Sequence, residues 1–249
     1  MSLGLHSSSK IAERDAVDGR KVASMADNAA PGAERFVPDG ADLAGLREAA
    51  RSCRGCHLYK DANQTVFGRG RADARLVLVG EQPGDVEDQR GLPFVGPAGV
   101  LLRRAVGDAD IDVDQLYITN AVKHFKFTRA ARGQRRIHQK PDRIDIVACR
   151  PWLVAEFALL RPRGVIALGA TAAQALLGPS FRVTQSRGKL MPWPASAQQP
   201  DDFPDANGDA FVMATLHPSA VLRADDREQA YAGLVADLAV AAGALQTGQ

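Results

Sequence analysis

The sequence predicts an α/β fold, a three-layer α/β/α arrangement with a small, mostly parallel central sheet. Two observations carry that prediction. Short, continuous apolar runs of strand length recur at Leu76–Val79, Leu116–Thr119, Val165–Leu168 and Phe211–Thr215, which suits strands covered on both faces. Between them lie stretches with helical spacing at Ala98–Val106, Ile144–Leu160 and Ala170–Leu177. Buried strands that alternate with helices form a parallel sheet with helices on both faces. At 249 residues and 45% hydrophobic composition, the chain can bury one substantial core.

Along the chain, residues 1–38 are rich in Ala, Ser, Gly and Asp without sustained periodicity, and are expected to form a disordered leader. Residues 39–249 form the domain. Helical spacing begins around Leu43, Leu46 and Ala50 and ends at Cys53-Arg54-Gly55-Cys56. The first apolar run is closed by Gly80, and a last helix is expected from about Asp226 to Ala241. Residues 192–210, with Pro, Gln, Asp, Asn and Gly, read as a surface loop. No internal repeat is visible.

The net charge of +2 matters less than its distribution. Acids gather at Asp201, Asp202, Asp205 and Asp209. Cations gather at Lys123, Lys126, Arg129, Arg132, Arg135, Arg136, Lys140 and Arg143, where the only acid is Asp142. Such a run is expected to bind phosphate, and His138 is its one side chain able to act as nucleophile or base near neutral pH. No apolar run is long enough to cross a membrane, and the N-terminus lacks the apolar segment of a secretory signal; a cytoplasmic protein is expected. Three cysteines do not make a secreted disulfide framework. Cys53 and Cys56, with the distant Cys149, suggest a metal site or a redox pair. Spacing alone leaves zinc in a Cys3His set, or free thiols, as open alternatives.

In a parallel sheet the binding site lies at the carboxyl ends of the strands. Those ends carry Gly80-Glu81-Gln82-Pro83-Gly84-Asp85, Asn120, Gly169-Ala170-Thr171 and His217-Pro218-Ser219. Gly80 and Gly84 bracket a tight turn that can approach a ligand closely. Gly91-Leu92-Pro93-Phe94-Val95-Gly96-Pro97-Ala98-Gly99 then holds one aromatic in a rigid loop, where it can pack or stack on a base.

Together, the Gly-Glu-x-Pro-Gly loop, the Leu-Pro-Phe-Val-Gly-Pro-Ala-Gly stretch, Asn120 and His217-Pro218-Ser219 resemble the uracil-DNA glycosylase superfamily. The resemblance is to its iron–sulfur branch, family four, and runs from about Cys53 to the C-terminal helix. It implies a uracil-containing DNA substrate, with single strands preferred, and a monomer in the cytoplasm, associated with the bacterial nucleoid. By resemblance, Phe94 stacks on a flipped uracil and Asn120 pairs with its O4/N3 edge. His217 donates to O2 as the uracil anion leaves, and backbone N–H groups of the Glu81–Gly84 loop help hold that charge. Family-four enzymes hold a [4Fe–4S] cluster with four cysteines. Here Cys53, Cys56 and Cys149 match three ligands, and His124 stands near the fourth position, where an imidazole can replace a thiolate.

Two features depart from ordinary family-four members: Gln82 inside Gly-Glu-Gln-Pro-Gly, and the longer segment holding Arg135-Arg136-Ile137-His138. Both resemble the UdgX branch, in which the loop histidine becomes covalently linked to deoxyribose C1′ after uracil has left. The resemblance thus makes His138 the nucleophile in a self-trapping, single-turnover glycosylase. Glu81 is expected to position His138 or take its proton, and Gln82 to fix the loop or to bind uracil or the sugar–phosphate. Arg135, Arg136, Lys123 and Lys126 are expected to contact DNA, with bracing of the loop the alternative for Arg136. Two rival readings remain: a hydrolytic family-four glycosylase with His138 as a DNA contact, and a catalytically silent iron–sulfur DNA-binding module.

Overall fold

The structure is a computed structural model that describes residues 1, 32–130, 135–193 and 210–247. Residues 2–31 of the expected leader, Arg132, and 194–209 of the expected surface loop with its four aspartates lie outside the described residues. The chain divides into Met1–Ala30 and Pro31–Gln249; every element named below lies in the second unit. The packed chain begins before residue 39, because a 3-10 turn at Ala33–Phe36 buries Ala33 in the core.

The strands are β1 (Arg69–Gly70), β2 (Leu76–Gly80), β3 (Leu116–Asn120), β4 (Phe127–Arg129), β5 (Arg136–His138), β6 (Gly164–Leu168), β7 (Met191–Pro192) and β8 (Phe211–Thr215). The helices are α1 (Leu43–Ala50), α2 (Asp85–Arg90), α3 (Pro97–Asp108), α4 (Arg143–Leu160), α5 (Ala170–Leu177), α6 (Val183–Ser186), α7 (Pro218–Leu222) and α8 (Arg227–Gln246). The main sheet has the order β1-β3-β2-β6-β8-β7. Its four central strands are parallel, and the two-residue strands at each edge are antiparallel. The fold is the predicted one, with the edge strands too short to leave a pattern in sequence.

Alternation along each central strand explains the two helix layers. Successive side chains point to opposite faces. Val77 and Val79 therefore join Leu46 of α1, Trp152 and Phe157 of α4 and Leu176 of α5 in one core. Leu76 and Leu78 join Leu102 of α3, Val221 of α7 and Leu234 and Leu238 of α8 in the other. Asp42 and Asp226 cap α1 and α8 by accepting backbone N–H bonds from Gly45 (2.8 Å) and Gln229 (2.9 Å). The last helix runs five residues beyond the expected end at Ala241, to Gln246.

β3 and β6 flank β2 on opposite sides. The chain thus passes from β2 to β3 on one side and from β3 back across β2 to β6 on the other, and this reversal opens a crevice at the carboxyl ends of the strands. The register sets Gly80 level with Asn120 and Leu168 level with Thr215. Beside this crevice stands a hairpin of β4 and β5, pairing Phe127 with His138 and Arg129 with Arg136.

Candidate active site and cysteine cage

At the strand ends lies a cavity of about 600 Å³, lined among others by Glu81, Phe94, Asn120, His138, Thr171 and His217. The structure brings together side chains more than a hundred residues apart in sequence.

Its floor is built by close approach. A side chain at Gly80 would put a Cβ 2.3 Å from Asn120 Oδ1 and 2.5 Å from Phe94 Cζ, so only glycine lets the amide and the ring stand where they do. Phe94 has a positive φ of 53°, an uncommon backbone for a non-glycine residue. Two contacts hold it there: Arg103 donates to the Phe94 carbonyl at 2.9 Å, and Gly99 leaves room for that carbonyl.

The polar groups are arranged for a ligand. Asn120 is 1% exposed, yet its Oδ1 has no hydrogen-bond partner. A buried carbonyl left unsatisfied is costly, and this residue lines the cavity. His217 Nδ1 accepts from the Ser219 backbone N–H at 3.1 Å and lies 2.7 Å from Ser219 Oγ. Burial, helped by the positive surroundings of His138 and Arg223, pushes the imidazole down to a pKa of about 4. The neutral ring with Nδ1 accepting carries its proton on Nε2, which makes it a donor. The Phe94 and His217 rings lie 6.1 Å apart.

His138, at the end of β5, is half-exposed and places Nε2 3.4 Å from Glu81 Oε1. The Thr171 hydroxyl donates to Glu81 Oε2 and so fixes the carboxylate that faces the ring. Burial lowers the His138 pKa against the opposing pull of Glu81, with Arg223 adding to the lowering, which favours the neutral imidazole near pH 7.

Gln82 has its amide committed elsewhere. It donates to Lys126 O (3.1 Å) and Gln139 O (3.0 Å) and accepts from Lys126 N (3.0 Å). Both N–H donors on Gln82 Nε2 are used on the hairpin backbone, so the expected donation from Gln82 to uracil is corrected: the amide straps the hairpin instead. Arg136 is the second strap. Its guanidinium bonds Asp85, reaches Asp88 at 2.5 Å, and lies over the Phe125 and Phe127 rings. With its side chain 9% exposed, it braces the loop and is unavailable to DNA.

Two further expected DNA contacts are corrected. Lys123 is fully buried and bonds Thr119 Oγ1 (2.6 Å), Asn120 O (2.8 Å) and Glu156 Oε2 (2.6 Å). Only burial, invisible in a run of cations, separates it from its neighbours. Lys126 is held by Asp142 (2.6 Å) and Asp145 (2.8 Å) at the start of α4. Arg135 remains exposed. Thr171 stood among the strand-end residues without a role, and Arg223, Asp88 and Glu156 were not singled out in sequence. Asp85 and Asp88 were legible as acids three residues apart on one helical face.

The expected metal ligands also converge. Cys53, Cys56, Cys149 and His124 are all buried, and the thiols are free of disulfides. Cys56 Sγ lies 3.8 Å from His124 Nδ1. Two N–H groups point at sulfur: Trp152 Nε1 to Cys53 (3.2 Å) and Lys123 N to Cys149 (3.2 Å). Burial raises Cys56 to a pKa of about 11 and raises Cys149 as well, while it lowers His124 to about 4. Thiolates at this place therefore need a bound cation. Among the described residues, no three His, Cys, Asp or Glu side chains form a site for a single metal ion.

Comparison with known proteins agrees with this architecture. The profile of the Uracil DNA glycosylase superfamily matches residues 67–239. A Type-4 uracil-DNA glycosylase of Thermotoga maritima is 32% identical over 179 residues, 72% of this chain and 82% of the relative. Type-4 uracil-DNA glycosylases of Pyrobaculum aerophilum and Sulfurisphaera tokodaii are 33% and 31% identical over 186 and 182 residues, covering 73% and 71% of this chain and 85% and 74% of theirs. The strand-end cavity and these matches lead to one assignment: the chain belongs to the uracil-DNA glycosylase superfamily.

Proposed function

We propose that the protein excises uracil from DNA and then bonds to the sugar it has exposed, through His138. The observation that supports base excision is the orphaned Asn120 Oδ1 beside Phe94 and the Nε2–H of His217. Uracil N3–H satisfies that carbonyl, the Asn120 amide N–H meets O4, Phe94 covers the ring, and His217 Nε2–H meets O2. Only a base out of its stack can reach such a pocket. As the bond between C1′ and uracil N1 breaks, its electron pair leaves with uracil, and the His217 donor stabilises the charge on O2.

The sugar left behind is cationic at C1′. Glu81, held by Thr171, stabilises it from the position it shares with His138. In the tautomer with its proton on Nδ1, His138 keeps a lone pair on Nε2, the nitrogen that stands beside Glu81 at 3.4 Å in the lining of the cavity. Nε2 bonds to C1′, the imidazolium sheds its Nδ1 proton to solvent, and uracil is protonated by water. Preorganisation favours the imidazole over water, because Gln82 and Arg136 strap its hairpin to the loop that carries Glu81. This reading places the protein in the UdgX branch. Lys140 and Arg223, exposed cations that line the cavity, and the exposed Arg135 supply phosphate contacts to a single strand.

Cys53, Cys56, Cys149 and His124 would hold a [4Fe–4S] cluster, and the Trp152 and Lys123 N–H groups favour the charged sulfurs. Bound there, the cluster supplies a cross-link. The chain's own contribution is to tie α1, the segment after β3 and α4 together behind Asn120.

The test is a denaturing gel of the protein with a uracil-containing oligonucleotide beside a thymine control. Wild type is expected to give a heat- and detergent-stable adduct only with uracil. His138→Ser is expected to lose the adduct and gain turnover, since water now reaches C1′. Many turnovers by wild type with no adduct would return the protein to the hydrolytic family-four reading.

A further inference from the structure

A second cavity, of about 540 Å³, is lined by four arginines, Arg47, Arg51, Arg69 and Arg90, and by no carboxylate. They come from α1 and its C-cap, β1 and the last turn of α2, so the tertiary fold assembles the cluster. Arg51 meets Glu48 at 3.1 Å in a pair that is about 70% exposed on both sides (72% and 71%), and such a pair yields readily to a stronger anion. Arg47 gives one N–H to Gly68 O at 3.2 Å. Arg69 and Arg90 have no ion-pair partner among the described residues. The acids closest in sequence to Arg90 are committed elsewhere, since Asp85 and Asp88 face Arg136.

Four guanidinium groups around one cavity repel each other unless a polyanion lies between them. Guanidinium forks match phosphate oxygens in particular, and the volume exceeds what one phosphate fills. The cavity also touches the base site through the chain. Gly91 and Leu92 line it, while Phe94, three residues on, lines the base cavity. Three peptide units span at most about 11 Å, roughly three nucleotides of rise along a strand.

We propose that this cavity holds phosphate groups of the DNA strand outside the nucleotide seated in the base cavity. The inference rests on the uracil-DNA reading above. Its chemistry, phosphoryl oxygen between arginines, is shared by a free polyphosphate, and the test separates the two sources.

The probe is a single-stranded 15-mer with one central 2′-fluoro-deoxyuridine, whose fluorine disfavours the sugar cation and so prevents excision. A 3-mer with the same central nucleotide and an all-thymine 15-mer accompany it. Affinities are measured from 50 to 200 mM salt for wild type, for Arg69→Gln/Arg90→Gln and for Arg69→Lys/Arg90→Lys. Loss of two single-strand phosphate contacts lowers the slope of log K against log salt by about 1.4. The wild-type advantage on the 15-mers then shrinks about seven-fold across that range. The 3-mer is expected to show no change of slope, and the lysine variant to recover most of it.

Equal slopes for wild type and the glutamine variant on the 15-mer overturn the proposal, as does an equal loss on the 3-mer. If inorganic pyrophosphate raises the wild-type Tm but not the variant's, while the 15-mer slopes agree, the cavity serves a free phosphate ligand and the strand assignment fails. Should the double variant not fold, Arg90→Gln alone carries the comparison at half the slope change. Failure of the uracil reading is seen separately, as equal wild-type affinity for the fluoro-uracil and thymine 15-mers.

Discussion

Replacing Arg136 with alanine is expected to loosen the His138 hairpin while leaving base recognition intact. A two-stranded ribbon with three residues per strand is at best marginal by itself, so β4 and β5 depend on their straps. Arg136 is 9% exposed and Asp88 is fully buried. Removing the guanidinium leaves Asp88 with only the Asn63 backbone N–H, at 3.0 and 3.2 Å. Breaking one side of a buried pair costs about 3–5 kcal/mol, whereas the arm to the half-exposed Asp85 adds at most about 1 kcal/mol. If the lower figure falls on local opening, about 3 kcal/mol raises the open population roughly 150-fold. Amide exchange reads this directly. The bonds Gln139 N–H to Lys126 O (3.0 Å) and Ala130 N–H to Arg135 O (3.1 Å) are expected to lose protection by about that factor, with β2 and β6 unchanged. Adduct formation falls in parallel, and uracil release persists because Phe94, Asn120 and His217 lie on other elements. Unchanged exchange with a lost adduct would refute the strap and make Arg136 a direct DNA contact. A fall in Tm with no local loosening would refute it as well.

Three further outcomes are expected. Asn120→Leu removes a buried, unpartnered carbonyl, so Tm is expected to stay level or rise while uracil release drops about 10²–10³-fold; an unstable variant would contradict the orphaned acceptor. Lys123→Met strands Glu156 in the core, costing about 3–5 kcal/mol, or roughly 6–20 °C of Tm in a domain of this size. Its DNA affinity should keep the wild-type salt slope, because a buried lysine meets no phosphate. His217 has a folded pKa of about 4 against about 6.5 unfolded. The unfolded chain therefore binds more protons between those values, and the contribution of His217 to stability is complete above about pH 6.5 and lost as pH falls toward 4. Single-turnover uracil release by the wild type, followed against pH, is expected to keep its His217 contribution down to about pH 5 and fall near 4, where protonation displaces the Ser219 N–H from Nδ1. An acid limb centred near pH 6.5 would show that His217 is not held neutral by burial.

Much of this protein was legible in sequence because the signals are local. Four apolar runs specify strands buried on both faces, and period-two alternation assigns each side chain to one core or the other. Glycines at 80 and 84 report a turn of close backbone approach, and the strand-end rule places Glu81, Asn120 and His217 on one rim. Pairing and burial are not local. In sequence, Lys123, Lys126, Arg135 and Arg136 form one basic run. In the fold, Glu156 buries the first, two aspartates of the α4 N-terminus hold the second, Asp85 and Asp88 hold the fourth, and Arg135 alone stays open. Partner carboxylates brought from other elements decide this, because a charge is available to DNA only where the protein has not already neutralised it. The same tertiary step turns Gln82 from a possible ligand contact into the strap that holds His138 beside Glu81.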